Sequence, residues 1–150
     1  MIEVRNLTKK YRELIVIDNF SHTFDKGKVY GIMGENGAGK STLFRCIAGI
    51  EPYDGSVFVS DNSQVGYMSD TPFYYSYVTG MEYIEFCLRA KGKDVNREVI
   101  IKLNDKFALP LGRYASRYSM GMKKRLMLLT IMLQDNDIII MDEPFNGIDL

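Results

Sequence analysis

Apolar and polar residues follow two rhythms along this chain, and the changes of rhythm mark out its elements. MIEVRNLTKKY reads as a short strand and turn, and LIVIDNFSHTF as a longer strand in which Phe20 and Phe24 share a face. DKG supplies a turn, and KVYGIM is a compact apolar strand ending at a glycine. After Gly39 the period becomes helical: Leu43, Ile47 and Ile50 fall on one side, and Gly49 marks the stop. GSVFV and QVGYM predict two more short strands. Helical spacing returns in GMEYIEFCLRA, from Gly80 to Ala90, and again in VNREVIIKLNDKFA. Ser119 is placed to cap a long helix running through Leu133. DIIIMD is apolar throughout its middle, the kind of strand buried on both faces of a parallel sheet. Strands alternating with helices indicate an α/β fold.

Composition narrows the function classes. The 19 Lys and Arg residues balance 19 Asp and Glu, so no global charge draws the chain to nucleic acid or to an anionic membrane. No apolar run approaches the roughly 18 residues of a membrane span, and the polar, mixed-charge N-terminus is not a signal peptide. These features predict a cytoplasmic protein that reaches a membrane only through a partner. Cys46 and Cys87 lack metal-ligand spacing and read as buried free thiols, with a disulfide as the second reading. There is no internal repeat or low-complexity linker, and 150 residues suit one domain.

The strongest local chemistry is GIMGENGAGKST. Gly34 with Gly39-Lys40-Ser41 satisfies G-x-x-x-x-G-K-[ST], after an apolar strand and before a helix. Polyphosphate carries several negative charges, and glycines let the backbone wrap closely around it. The loop Gly34, Asn36, Gly37, Ala38, Gly39, Lys40, Ser41 and Thr42 is therefore the candidate nucleotide cradle, with N–H groups from Gly37 to Thr42 and the helix N-terminus facing the phosphates. Lys40 would reach the β- and γ-phosphates, and Ser41 would ligate Mg²⁺. A glycine-rich turn that merely starts a helix is the plain alternative. The loop alone also leaves kinases, GTPases, helicases and transporter ATPases open.

YSMGMKKRL and DIIIMDEPFNGIDL narrow that choice. With the phosphate loop, and in this order, they resemble the ATP-binding cassette (ABC) ATPases over essentially the whole chain. Tyr118-Ser119-Met120-Gly121-Met122 is similar to the family signature, Ile138 to Asp142 to its Walker B strand, and Asn146-Gly147-Ile148-Asp149 to its D-loop. The resemblance implies an α/β P-loop NTPase with a RecA-like ABC core, an N-terminal antiparallel β subdomain and an inserted helical subdomain at about 71–118. It implies an ATPase using ATP and Mg²⁺, in which Asp142 holds the metal through water and Glu143 polarises the attacking water as general base. It implies head-to-tail pairing with a second ABC domain, as homo- or heterodimer, where Ser119 and the Gly121 N–H meet the partner's γ-phosphate. A plain N-cap remains the alternative for SMGM. The implied partner is a membrane-spanning permease subunit, with the chain peripheral to the inner face of the cell membrane and no nucleic acid expected.

Two more positions follow from the resemblance. Tyr11 stands where the family has an aromatic stacked on adenine, or it packs on the surface. Asp70 stands where a glutamine usually senses Mg²⁺ and the permease; its shorter, anionic side chain could still ligate Mg²⁺ through water. Met120 and Met122 replace a glycine and a glutamine of the commoner signature, a form similar to ABC-2-type exporters and related peptide-antibiotic or resistance transporters. His22 comes too early for the family's switch histidine and reads as structural. Phe73, Tyr74, Tyr75 and Tyr77 form either a docking patch or packing for the helical subdomain, and Lys123–Arg125 reads as a solvated helix face.

The family's switch histidine lies well beyond the D-loop, and its next strand inserts between the phosphate-loop strand and Walker B. The expectation is thus a single incomplete ABC domain over 1–150, its C-terminal strands missing, marginally stable or aggregation-prone. A catalytically silent nucleotide-binding module and a non-transport ABC protein are the alternative functions.

Overall fold

The computed structural model describes residues 1–60 and 63–144, and the chain divides into two compact units, Met1–Val65 and Gly66–Leu150. Asn146, Gly147, Ile148 and Asp149, the D-loop positions, lie outside the described residues.

The first unit is built on an antiparallel sheet in the order β2-β1-β3, from β1 (Ile2–Tyr11), β2 (Leu14–Phe24) and β3 (Asp54–Val59). Side chains of the central strand should alternate strictly, and Ile2 and Val4 are buried as that rule requires. The phase then slips at a bulge. Asn6 adopts φ 52°, the pairing of β1 with β3 shifts between Arg5 and Thr8, and Gly55 comes so close that a Cβ there would lie 2.4 Å from the Asn6 carbonyl oxygen. Beyond the bulge it is Leu7 and Lys9 that point inward. The bulge is held by side chains: Ser21 Oγ accepts from the Asn6 N–H at 2.8 Å, and Asn6 Nδ2 donates to Asn19 Oδ1 at 2.7 Å.

Helix α1 (Lys40–Ile47) turns Thr42, Leu43, Cys46 and Ile47 inward. It stops ahead of Gly49, as the sequence predicts, but Ile50 leaves the side shared by Leu43 and Ile47. Gly49, at φ 72°, donates to Cys46 O, and the Ile50 N–H returns to Arg45 O at 2.8 Å, a left-handed closure that turns Ile50 outward. KVYGIM also departs from expectation. It joins no sheet among the described residues, and Val29 and Met33 are almost wholly exposed. Apolar composition favours a strand, but the strand forms only where a neighbour completes the ladder.

The second unit pairs β4 (Val65–Met68) with β5 (Ile138–Met141) and packs helices α2 (Gly80–Ala90), α3 (Arg97–Asn104) and α4 (Met120–Leu133). Each helix starts on a side-chain cap: Thr79 with Glu82 in a reciprocal capping box, Asn96, and Ser119. Ile84, Leu88, Ile100, Leu126 and Leu129 form a core with Tyr74 and Tyr118. Glu85, buried on α2, is held by Arg97 Nε at 2.5 Å and Arg89 Nη2 at 3.3 Å. The expected two-sided burial of DIIIMD is not found: Ile140 is buried, but Ile139 and Met141 remain exposed, β4 being the one neighbour β5 has among the described residues. No helix of the described residues is long and apolar enough to cross a membrane.

Candidate functional site

The phosphate loop stands between residues 34 and 42. Gly37 and Gly39 both take left-handed backbone, at φ 84° and 88°, with the Ala38 N–H turned onto Glu35 O at 3.2 Å. Left-handed residues separated by one are what bend successive amides toward a common concavity, and only glycine takes them without strain. A Cβ on Gly39 would meet Val16 Cγ1 at 2.9 Å and Val16 O at 3.0 Å, so this glycine is also required by the sheet beneath it. The first helical bond runs from Leu43 N–H to Gly39 O at 2.8 Å, so the amides of Lys40, Ser41 and Thr42 precede the helical ladder; no side chain caps the helix. Asn36 and Ala38 are exposed on the loop, Ser41 is half-buried and Thr42 buried. Lys40 Nζ bridges the carbonyls of Gly34 and Glu35 at 2.7 and 2.8 Å, a cation seated at the loop itself.

Tyr11 is the last residue of β1, paired with Leu14 across a two-residue turn in which Arg12 is left-handed. Its hydroxyl donates to Glu51 Oε2, and Lys9 Nζ stands 4.7 Å from its ring centroid. The same Glu51 accepts from Arg45 Nε at 2.6 Å and lies 3.4 Å from Lys9 Nζ. These partners, the Tyr11 hydroxyl first, hold the Glu51 carboxyl below its ordinary pKa. The sequence reading missed Lys9 and Glu51. The bulge that turns Lys9 inward leaves no composition signal, and Glu51 lies far from Tyr11 in the chain.

In the second unit, Asp142 follows β5 directly. It is buried, its N–H donates to Met68 O at 2.9 Å, and Oδ2 has no hydrogen-bond partner. An anionic oxygen removed from water without a partner is costly, so the position suits a cation or its hydration water. Glu143 follows with an exposed side chain and left-handed backbone at φ 44°. Asp70 lies just past β4, accepting from Ser69 Oγ at 3.2 Å and Thr71 Oγ1 at 3.1 Å. No three His, Cys, Asp or Glu side chains converge among the described residues. Mg²⁺ in general takes one or two carboxylates and leaves its other positions to phosphate and water.

Ser119 caps α4 by accepting from the Met122 N–H at 3.2 Å, which leaves its hydroxyl proton available to an oxyanion at the helix N-terminus. Gly121 lies half-buried in the first turn of α4. Of the aromatic run, Tyr74 is core and donates to Lys123 O at 2.7 Å, while Phe73, Tyr75 and Tyr77 are about three-quarters exposed, at 76%, 73% and 77%. His22 packs edge-on against Phe24, ring centroids 4.6 Å apart. The expected solvated face at Lys123–Arg125 does not exist. Lys124 is only 2% exposed and donates to Glu143 O at 2.8 Å, and Arg125 donates to Phe107 O at 2.9 Å. Three consecutive helical residues sweep about 200° of circumference, so on a helix this apolar they cannot share one wet side.

A family model described as "ABC transporter" matches residues 17–146. Similar curated proteins include the bacitracin transport ATP-binding protein BcrA of Enterococcus faecalis, 34% identical over 99% of this chain and 52% of the relative. The ABC-type transporter ATP-binding protein EcsA of Bacillus subtilis is 33% identical, with 99% and 66% covered. The SkfA peptide export ATP-binding protein SkfE, also of B. subtilis, is 30% identical, with 100% and 68% covered. The chain therefore spans about half the length of BcrA, at 52%, and about two thirds of the other two. Among solved structures, the ATP-binding subunit of an ABC transporter superposes with TM-score 0.85 at 26% identity, covering 99% of this chain and 68% of that one. A dimeric post-hydrolysis state of the cassette MJ0796 bound to ADP and Pi gives 0.88 at 20% identity, covering 99% and 76%; at that identity the likeness shows the fold alone.

Proposed function

The chain belongs to the ABC transporter family, and from that premise we propose that it is the ATP-binding and ATP-hydrolysing part of a transporter, driving a separate membrane-spanning permease by nucleotide-dependent dimerisation. The observation that carries this reading is the phosphate loop: two left-handed glycines, a helix start without a side-chain cap, and the Lys40 ammonium seated on the loop carbonyls.

Each residue then has a task. The amides of Gly37 to Thr42 receive the phosphates with Gly34, Asn36 and Ala38 shaping the loop, and Lys40 exchanges its two carbonyls for β- and γ-phosphate oxygens. Tyr11, oriented by Glu51, stacks on adenine with the ring face that Lys9 leaves open. Ser41, Asp142 and Asp70 are the residues that would hold Mg²⁺, and the ion would supply neutralisation of charge on the phosphates. Glu143 takes the proton of the attacking water. Ser119 and the Gly121 N–H of a second cassette, identical or not, complete the γ-phosphate site.

The helical part of about 71–118 carries Phe73, Tyr75 and Tyr77, an exposed aromatic face for the permease at the inner side of the membrane. Relatives that are by name a bacitracin transport protein and a peptide export protein support the exporter type suggested by the methionine-bearing signature.

Equilibrium MgATP binding and steady-state phosphate release, measured on the protein and on Glu143→Gln, test the reading. Removal of a general base should lower turnover by about a hundredfold or more while ATP still binds. Binding without turnover, unaltered by the substitution, would instead make the chain a silent nucleotide-binding module. Co-purification with a multi-span membrane protein tests the permease.

A further inference from the structure

We infer that Lys124 is a positioning residue for Glu143, a role that rests on the reading of Glu143 as general base. A lysine is almost never fully buried unless its ammonium is met by acceptors. Lys124 is nonetheless 2% exposed, on a helix whose Leu126 and Leu129 are core, and its Nζ donates to the Glu143 carbonyl oxygen at 2.8 Å. That carbonyl belongs to a residue at φ 44°, a left-handed conformation unfavourable to any side chain with a Cβ. Strained backbone persists only where surrounding contacts over-determine it.

Two hydrogen bonds hold the strained segment from opposite ends. The Asp142 N–H is fixed on Met68 O at 2.9 Å, and the Glu143 carbonyl on the Lys124 ammonium. The Glu143 side chain leaves from this backbone, whose conformation bounds where its carboxylate can reach. A proton acceptor must sit within hydrogen-bond reach of the water it activates, and a small misplacement is expensive. The buried ammonium therefore works through Glu143 without touching nucleotide. Charge-assisted bonds are stronger than neutral ones, which explains lysine here rather than an apolar residue of the same length. Methionine is the natural replacement with which to probe Lys124, because it is unbranched, fills nearly the same volume and has no donor.

The test uses the full chain with MgATP, measuring turnover per bound nucleotide, the ATP Kd and thermal stability for Lys124→Met, Glu143→Gln, the double variant, and the control Thr130→Ala. Thr130 is buried on the same helix, where its hydroxyl donates to Leu126 O at 2.8 Å. The expectation is that Lys124→Met lowers kcat at least about tenfold, the loss of one charge-assisted hydrogen bond, with Kd within about twofold. Glu143→Gln should be nearly inactive, and adding Lys124→Met to it should lower kcat no further. Thr130→Ala should lower stability and leave kcat per bound nucleotide unchanged. Counting per bound nucleotide removes any unfolded fraction from the comparison.

If Glu143→Gln turns over normally, the assignment of Glu143 itself is wrong. If Glu143→Gln is inactive while Lys124→Met keeps wild-type kcat, Lys124 has no positioning role. A Lys124→Met defect matched by Thr130→Ala, or one that appears in Kd rather than kcat, would make Lys124 part of the scaffold and overturn the inference.

Discussion

Replacing Gly39 with alanine should damage the protein more than the same change at Gly37, and the structure says why. Both glycines are left-handed, at φ 88° and 84°, so each substitution carries the backbone penalty of about 1–2 kcal/mol. They differ in surroundings. A Cβ on Gly37 meets nothing within 4 Å, whereas one on Gly39 meets Val16 Cγ1 at 2.9 Å and Val16 O at 3.0 Å. The methyl can rotate away; the carbonyl belongs to β2 and cannot move without the strand. Overpacking of this kind adds about 1–3 kcal/mol. Gly37→Ala should thus cost about 1–2 kcal/mol and Gly39→Ala about 2–5 kcal/mol, read as midpoint shifts in urea at unchanged slope. Displacing the start of α1 should also weaken MgATP binding by on the order of tenfold to a hundredfold, seen in a fluorescent-nucleotide titration. Equal destabilisation by the two variants would refute the reasoning, because the close contact with Val16 is what should make Gly39 the costlier site.

Ser119→Ala removes the α4 cap bond to the Met122 N–H and should cost about 1 kcal/mol in urea unfolding; unchanged stability would mean the cap contributes nothing. It should also reduce turnover more than ATP affinity, if Ser119 serves a neighbouring cassette. Arg97, through its hydrogen bond, and then Arg89 hold the Glu85 carboxyl below its ordinary pKa, so the stability they confer is present above the normal carboxylate range and is lost as pH falls through the lower, folded value. Glu85→Gln should therefore flatten the acid limb of a stability–pH curve, and parallel curves would exclude that role. Leu129→Ala empties a fully buried position between the helices and should cost about 2–5 kcal/mol by chemical denaturation; a loss below about 1 kcal/mol would show that the helical core is not the packed unit described.

The parts legible in the sequence were those governed by local chemistry. Gly37, Gly39 and Lys40 announce their loop because left-handed backbone and phosphate charge need those residues at that spacing. Ser119 announces α4 because a hydroxyl ahead of a long apolar run is a cap. What was not legible depends on neighbours remote in the chain. KVYGIM and DIIIMD are apolar enough to be covered strands, yet hydrophobicity specifies coverage without naming the covering element, and Val29, Met33 and Ile139 stand exposed among the described residues. Likewise the bulge at Asn6 depends on Gly55 across the sheet, and only after it does Lys9 turn inward to meet Glu51 beside Tyr11.

Lys124 shows the same limit with a functional consequence. As one of three adjacent charges it resembles a wet helix face, and its burial becomes evident only with Glu143 folded beside it. Helix α4 then has two duties. Its N-cap, Ser119, is the residue proposed to meet another cassette, and about a turn and a half further along Lys124 grips the carbonyl of this chain's own Glu143. Tyr74 and Arg125 tie the helix on either side of Lys124 to the rest of the helical unit, through Lys123 O and Phe107 O. Any displacement of α4 relative to β5 must therefore strain or break the bond from Lys124 to Glu143. If Ser119 and Glu143 have the roles proposed for them, whatever engages Ser119 also bears on Glu143 through the bond from Lys124.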